Sequence, residues 1–298
     1  MPSVKDLRDR IRSLKNTQQI TKAMKQVAAA RIRRAEAARK RARPYADALA
    51  EMLADLIAAV SSVDHPFMKP GNAAAPPGVI LMSADKGLAG AFNSNVIRVA
   101  EEVARERGQV RYYTVGNKAR NAVRRMGTPD HQAWPLGGGS MLDTAREVAA
   151  RAAQDFARGE ISEIVLVSQK LVSTMVQRPQ TRKLVPILAG DLQSLGGSAQ
   201  QTLDVPGAPL RGALEFSPSP EFVLSRLLPK YLEFTIYSAM LETDAAFFAA
   251  QLVAMTAATD NASKLIDDLT IAMNNARQAA ITKELLEIVG GAEALGVE

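Results

Sequence analysis

At 298 residues and 47% apolar content the sequence is long enough for one large folded domain or two modest ones. It has no cysteine, which excludes disulfides, thiolate nucleophiles and cysteine metal sites, and its two histidines, His65 and His131, lie beside loop-forming residues with no carboxylate spacing that would complete a metal site. The net charge of +6 is unevenly held: residues 1–43 carry 14 Lys/Arg against Asp6, Asp9 and Glu36, a local +11, and the other 255 residues sum to −5.

The N-terminal MPSVKDLRDRIRSLKN lacks the apolar centre of a secretory signal, and nowhere do 18 apolar residues run together, so a soluble chain made and used in a bacterial cytosol is expected. Its first segment, residues 1–65, reads as a helical rod. Ser3 and Asp6 stand where an N-cap and a first-turn acid belong, and apolar residues recur at Val4, Leu7, Ile11, Leu14, Ile20, Met24 and Val27. The pattern resumes at Leu49, Leu53, Leu56 and Val60 after Pro44, which is expected to kink the helix or mark a join.

The second segment, residues 66–219, has a different grammar. HPFMKPGNAAAPPG reads as a linker, GVILMSA (78–84) as a buried strand, then the loop DKGLAG and a helix over 93–107. VRYYTVG (110–116) and EIVLVSQ (163–169) are two further strands, with NKARNAVRRM and residues 142–158 as helices between them. Strands alternating with helices in this way predict an α/β layer with a mostly parallel sheet. The Gly-, Ser- and Gln-rich stretch 189–209 reads as a mobile surface loop.

In the third segment, residues 220–298, neither Gly nor Pro occurs from Lys230 to Val289. Small or apolar residues fall at Leu252, Met255, Thr259, Ala262, Ile266, Leu269, Met273, Ala276 and Ala280, in alternating steps of three and four, which is a coiled-coil seam. A helix over 230–289 is about 90 Å long, whereas a compact globule of this size is on the order of 50 Å across, so a rod projecting roughly 40 Å is expected. Its natural mate is the first rod, lying antiparallel so that both chain ends meet at the tip. There Ile281, Leu285, Leu286, Ile288 and Val289 spread apolar surface beyond one stripe, which calls for a hydrophobic socket on another protein, and Gly290 with Gly291 supplies the helix stop.

Two rival functions are weighed from the residues. The basic first rod could bind nucleic acid, but its cations fall on several faces and no aromatic residue precedes Tyr45 for stacking. The loop Asp85-Lys86-Gly87-Leu88-Ala89-Gly90 sits between a strand and a helix, where phosphates bind, yet it is neither GxGxxG nor GxxxxGK[ST]. No Ser-His-Asp set, carboxylate dyad or metal cluster stands out, so the chain is expected to perform no chemistry of its own and to need no cofactor.

NTQQITKAMKQVAAARIRRAE (16–36), ARPY (42–45), SADKGLAGAFN (83–93), VAMTAATDNASKLI (253–266) and NNARQAAITKELLEIVGGAEAL (274–295) together resemble the gamma subunit family of F-type ATP synthases, end to end along the chain. The resemblance implies a long antiparallel coiled coil of the N- and C-terminal helices with an inserted Rossmann-like α/β domain. It implies a non-catalytic central rotor shaft, seated in a hexamer of alternating alpha and beta subunits, with its foot on the epsilon subunit and the membrane c-ring, on the cytoplasmic face of a bacterial membrane. The family's contacts to beta fall on Met24 in KAM and on Arg277, Gln278 and Thr282 in ARQAAIT, and Ile281, Leu285 and Ile288 lie on the tip among them. The sequence departs from the family at FFAAQL (247–252), where relatives carry a more polar run with arginine at the position of Gln251, and at Phe216-Ser217-Pro218, which replaces an aromatic-acidic-proline run presented to the ring.

Overall fold

The computed structural model describes residues 3–59, 65–127, 130–187 and 219–295. The expected loop over 189–209 and the run Phe216-Ser217-Pro218 lie outside them. Two helices dominate: α1 (Val4–Ala59) and the last helix, α5 (Pro220–Leu295). Ser3 and Asp6 form a reciprocal cap on α1, the Ser3 hydroxyl accepting from the Asp6 amide and the Asp6 carboxylate from the Ser3 amide. Hydrogen bonding of the Ser3 side chain, then of its amide, to the carboxylate holds the Asp6 carboxyl below its usual range. The helical assignment runs through Pro44 in α1 and through Pro229 in α5. It also runs through Gly290 and Gly291, against the stop expected there. Each glycine costs about 1 kcal/mol in a helix interior, but Ala-Glu-Ala-Leu follows, and strong helix formers carry the backbone past them.

The chain divides into two units, residues 1–29 with 251–298, and residues 30–250. The larger holds a five-stranded sheet of β1 (Gly78–Met82), β2 (Arg111–Val115), β3 (Asp130–Trp134), β4 (Ile164–Leu171) and β5 (Gln177–Val185), in the order β3-β2-β1-β4-β5. The first four are parallel and β5 is antiparallel to β4. Helices α2 (Phe92–Arg107), α3 (Asn117–Arg125) and α4 (Met141–Ala157) connect them. Side-chain alternation splits the core: Val79, Leu81, Tyr112, Val165 and Val167 face α2 and α3. Ile80, Met82, Tyr113, Ile164 and Leu166 face α4, the α1 residues Leu49, Leu53 and Leu56, and the α5 residues Leu224, Leu228 and Ile236. With both faces covered, the central strands are mostly apolar, which is why β1, β2 and β4 could be read from the sequence.

The strands β3 and β5 were not expected. DHQAW is short and polar, and QRPQTRKLV carries Pro179 and five charged or amide side chains; both are sheet edges, where an apolar signature is not required. The expected linker after residue 65 is a packed element. Pro66–Met68 forms a 3-10 turn, the His65 Nδ1 accepts from the Phe67 amide, and Phe67 is buried against Phe156. Burial pushes the His65 pKa down. His131 belongs to β3.

In the smaller unit α1 and α5 lie antiparallel, since the Gln18 amide donates to the Ser263 hydroxyl at 2.6 Å and the Thr259 hydroxyl to that of Thr21 at 2.9 Å. The α5 seam is as expected up to Ala276: Met255, Ala262 and Ile266 are buried and Leu252, Thr259, Leu269, Met273 and Ala276 half-buried, whereas Ala280 is exposed. The α1 seam differs from the apolar pattern. Ile20 and Val27 are 60% and 51% exposed, and Gln18 and Thr21 take the inward positions, keeping the strict step of three and four from Val4 through Leu7, Ile11 and Leu14.

Candidate functional site

Continuing the register of the two polar contacts sets Val4, at the start of α1, opposite Ala276. Beyond it α5 has no neighbour among the described residues of its unit, and every residue from Arg277 to Val289 is exposed. The chain ends therefore do not meet at the tip: α5 continues to Leu295, about 28 Å past the start of α1 at 1.5 Å per residue. Ile281, Leu285, Leu286, Ile288 and Val289 stand on this single helix at 49% to 68% exposure. An apolar surface of that extent on one helix is unstable in water without a cover.

The structure distributes the expected contact residues over two levels. Arg277, Gln278, Ile281, Thr282, Leu285 and Ile288 lie together on the solitary tip, all exposed. Met24 is half-buried on α1, near the level of Thr256 by the same register, and so about 30 Å down the helix pair from Arg277. Between the levels, exposed Ile20, Leu265 and Ile271 add outward apolar side chains, and Val27 adds another just past Met24, none of them on the inward stripe.

In the larger unit the loop DKGLAG follows β1, at the carboxyl end of the sheet, where open α/β folds bind ligands. The Asp85 carboxylate fills the position that an anion would take. Its oxygens accept from the backbone amides of Asn117 at 2.9 Å, at the start of α3, of Gly137 at 3.0 Å and of Leu136 at 3.4 Å. One side chain thus ties the three loops that follow β1, β2 and β3. At the second of these turns Gly116 has φ +97°, and a Cβ there would lie 2.1 Å from the Ser83 carbonyl oxygen, so only glycine fits.

Half-buried Asp244 on α5 has its carboxyl pushed up to about 6, chiefly by burial and further by Asp85, with Arg31 opposing the shift. The folded carboxyl holds its proton above the unfolded value of 3.8, so stability falls as pH rises between 3.8 and about 6 and the cost is complete above that. Asp244→Asn is expected to raise stability at pH 7.5 by on the order of 2 kcal/mol, a gain that shrinks as pH falls toward 4.5. Thermal melts across that range check this; a gain independent of pH would exclude the assignment.

Among the described residues no group of three or more His, Asp or Glu could hold a metal ion, and no helix is long and apolar enough to cross a membrane.

A family model described as ATP synthase matches residues 3–295. The chain is similar to the ATP synthase gamma chain of Heliobacterium modesticaldum, at 42% identity over 99% of this chain and 100% of that one. It is similar also to the ATP synthase gamma chain of Phenylobacterium zucineum, at 41% identity with the same coverage. Among solved structures it resembles a chain of the Euglena gracilis mitochondrial ATP synthase, OSCP/F1/c-ring, with a TM-score of 0.66 at 19% identity over 98% of this chain and 94% of that one. A chain of the Tetrahymena thermophila mitochondrial ATP synthase central stalk/c-ring matches with a TM-score of 0.59 at 19% identity over 80% and 99%. The full-length family match and relatives above 40% identity agree with the antiparallel helix pair and the Rossmann-like sheet: this chain belongs to the ATP synthase gamma chain family.

Proposed function

We propose that the chain is the central rotor shaft of an F-type ATP synthase. It couples proton-driven rotation of a membrane c-ring to the cycling of catalytic beta subunits through different nucleotide affinities. The observation that carries this reading is the solitary apolar tip of α5, which calls for a socket on another protein. The socket is the ring of alternating alpha and beta subunits, and Met24, Arg277, Gln278, Ile281, Thr282, Leu285 and Ile288 meet its wall at two levels. One asymmetric helix pair facing three beta subunits cannot touch them all alike, so each is held in a different state.

The working division is residues 1–65 and 220–298 for the shaft and residues 66–219 for the foot, which meets the epsilon subunit and the c-ring. The protein works at the cytoplasmic face of a bacterial plasma membrane, peripheral to it, in the assembled complex. The +11 of residues 1–43 serves as a positive sleeve against acidic collars of that ring.

Purification of the tagged chain from its native membranes in mild detergent tests the reading. Recovery with alpha and beta subunits and an active ATPase supports it; recovery with nucleic acid, lost as salt rises, overturns it. At the finer level, Met24→Lys is expected to cut ATP synthesis in membrane vesicles by about tenfold, because the ammonium either finds a new partner on beta or lies desolvated without one. Synthesis at the parental rate would remove Met24 from the contact surface.

A further inference from the structure

Two stretches that the helix seam and the tip leave unused, DKGLAG after β1 and FFAAQ on α5, come together in the larger unit. The strand order places β1 between β2 and β4, so the chain reverses its direction of travel across the sheet at the β1/β4 pair. The crevice outside the carboxyl ends of those strands is where a doubly wound sheet ordinarily holds a ligand. Here it is filled by protein. Ala84 and Ala89 of the β1 loop, Phe92 at the start of α2 and Leu171 at the end of β4 form one buried cluster with Ala245 to Phe247, Ala249 and Ala250 of α5.

The alanines let the axis of α5 come close to the sheet end, and a single large side chain then decides its angular position. Phe247 meets Phe92 edge to face, with ring centroids 5.7 Å apart. Phe92 is itself fixed, because the buried Gln169 side-chain amide donates to its carbonyl oxygen at 2.8 Å. Five residues earlier on α5 the Glu242 carboxylate accepts from the Leu171 amide at 3.3 Å and faces Arg39 of α1 at 3.9 Å. Elsewhere in the unit α5 rests on the sheet through a broad apolar face, whose attraction is non-directional and opposes rolling only weakly. Nearer its start α5 also takes directional contacts, from Arg182 to the Tyr231 hydroxyl at 3.1 Å and from Arg146 to the Glu233 carboxylate at 2.7 Å, but the buried ring pair that joins α5 to α2, Phe92 with Phe247, lies at the crevice.

Resting on the rotor reading, we infer that the carboxyl-end crevice is a torque-bearing joint of this protein: the α/β domain grips α5 there through Phe92 against Phe247, and Asp85 holds the surrounding loops closed in place of a ligand. Rolling α5 about its axis requires Phe247 to pass over Phe92 while the Leu171–Glu242 bond breaks. Part of any force applied to the domain is therefore delivered to the helix at this level.

The test uses the chain's own ATP synthase, purified whole and reconstituted in vesicles, with ATP hydrolysis and proton pumping measured on the same sample against an increasing opposing gradient. Phe247→Ala is expected to keep hydrolysis within about twofold of the parent while protons pumped per ATP fall at least threefold under load, and Phe247→Leu to fall in between. Phe67→Leu, a buried change away from the crevice, is expected to leave the ratio unmoved, although it loosens the same unit. If the alanine chain does not assemble, the leucine variant decides alone. An unchanged ratio for the Phe247 variants, or an equal fall for Phe67→Leu, overturns the joint. Failure of the rotor reading is separable, since the parent preparation would then lack the chain or pump nothing.

Discussion

Deleting residues 276–298 is expected to abolish coupled ATP synthesis while leaving the α/β unit folded. Of the residues removed up to Val289, Ala276 is half-buried and the other thirteen are exposed, so the loss takes almost no buried area from either unit. Leu7 and Ile11 keep their cover, because the register sets them against the stretch from Leu269 to Met273, which remains. The cooperative melting of the truncated chain should stay within about 2 °C of the parent, since one kcal/mol moves a domain of this size by about 2–4 °C. Membrane vesicles carrying it should synthesise ATP at least tenfold more slowly, roughly the effect of losing a cluster of buried anchors from an interface. Loss of the cooperative transition would mean that the tip is part of the fold and not a surface held for a partner. Full synthesis would mean that the socket does not use it.

The largest stability effect is expected at Asp155, which is fully buried on α4 between three partners. The Tyr113 hydroxyl donates to it at 2.5 Å, and Arg111 and Arg151 lie 3.6 Å and 3.3 Å away. Burial, with the carboxylate beside it, pushes the Tyr113 pKa well up, so the phenol stays a donor across the accessible pH range. Asp155→Ala removes the acceptor and leaves positive charge and a phenol in a cavity, a change that costs about 3–5 kcal/mol when a buried pair is broken from one side. The melting temperature is expected to fall by about 10 °C, and Asp155→Asn, which keeps the shape and an acceptor, by roughly half as much. An alanine variant melting within about 2 °C of the parent would show that the network contributes nothing net.

What the sequence made legible follows from periodicity. The seam from Leu252 to Ala276 and the three central strands are long or strongly apolar, and each matched its element to within two or three residues. The failures share a cause. Ile20 and Val27 are apolar but outward, and Gln18 and Thr21 polar but inward, because helix geometry holds the seam at a fixed step whatever the side chain. The strands β3 and β5 are edges without an apolar face. At the crevice, Asp85, Phe92 and Phe247 are ordinary residues far apart in the chain, and only the return of α5 across the sheet end brings them together. The tip residues were readable as an apolar excess, but their solitude depends on where α1 begins relative to α5, which is a matter of register.

That register has its own consequence. Sliding α1 by one heptad would put the Thr21 hydroxyl against Leu252 or Ile266 in place of Thr259. It would also bring Gln18 to Thr256 or Thr270, whose hydroxyls already donate to the carbonyls of Leu252 and Ile266. Each slip gives up the hydroxyl contact between the helices and leaves the Thr21 hydroxyl with its bond to the Gln18 carbonyl alone, whereas the alanines and leucines around it would tolerate the move. A one-heptad slide would lengthen or shorten the solitary tip by about 10 Å, at 1.5 Å per residue. One amide–hydroxyl contact and one hydroxyl pair therefore act as a ruler: they meter how far α5 extends past the start of α1.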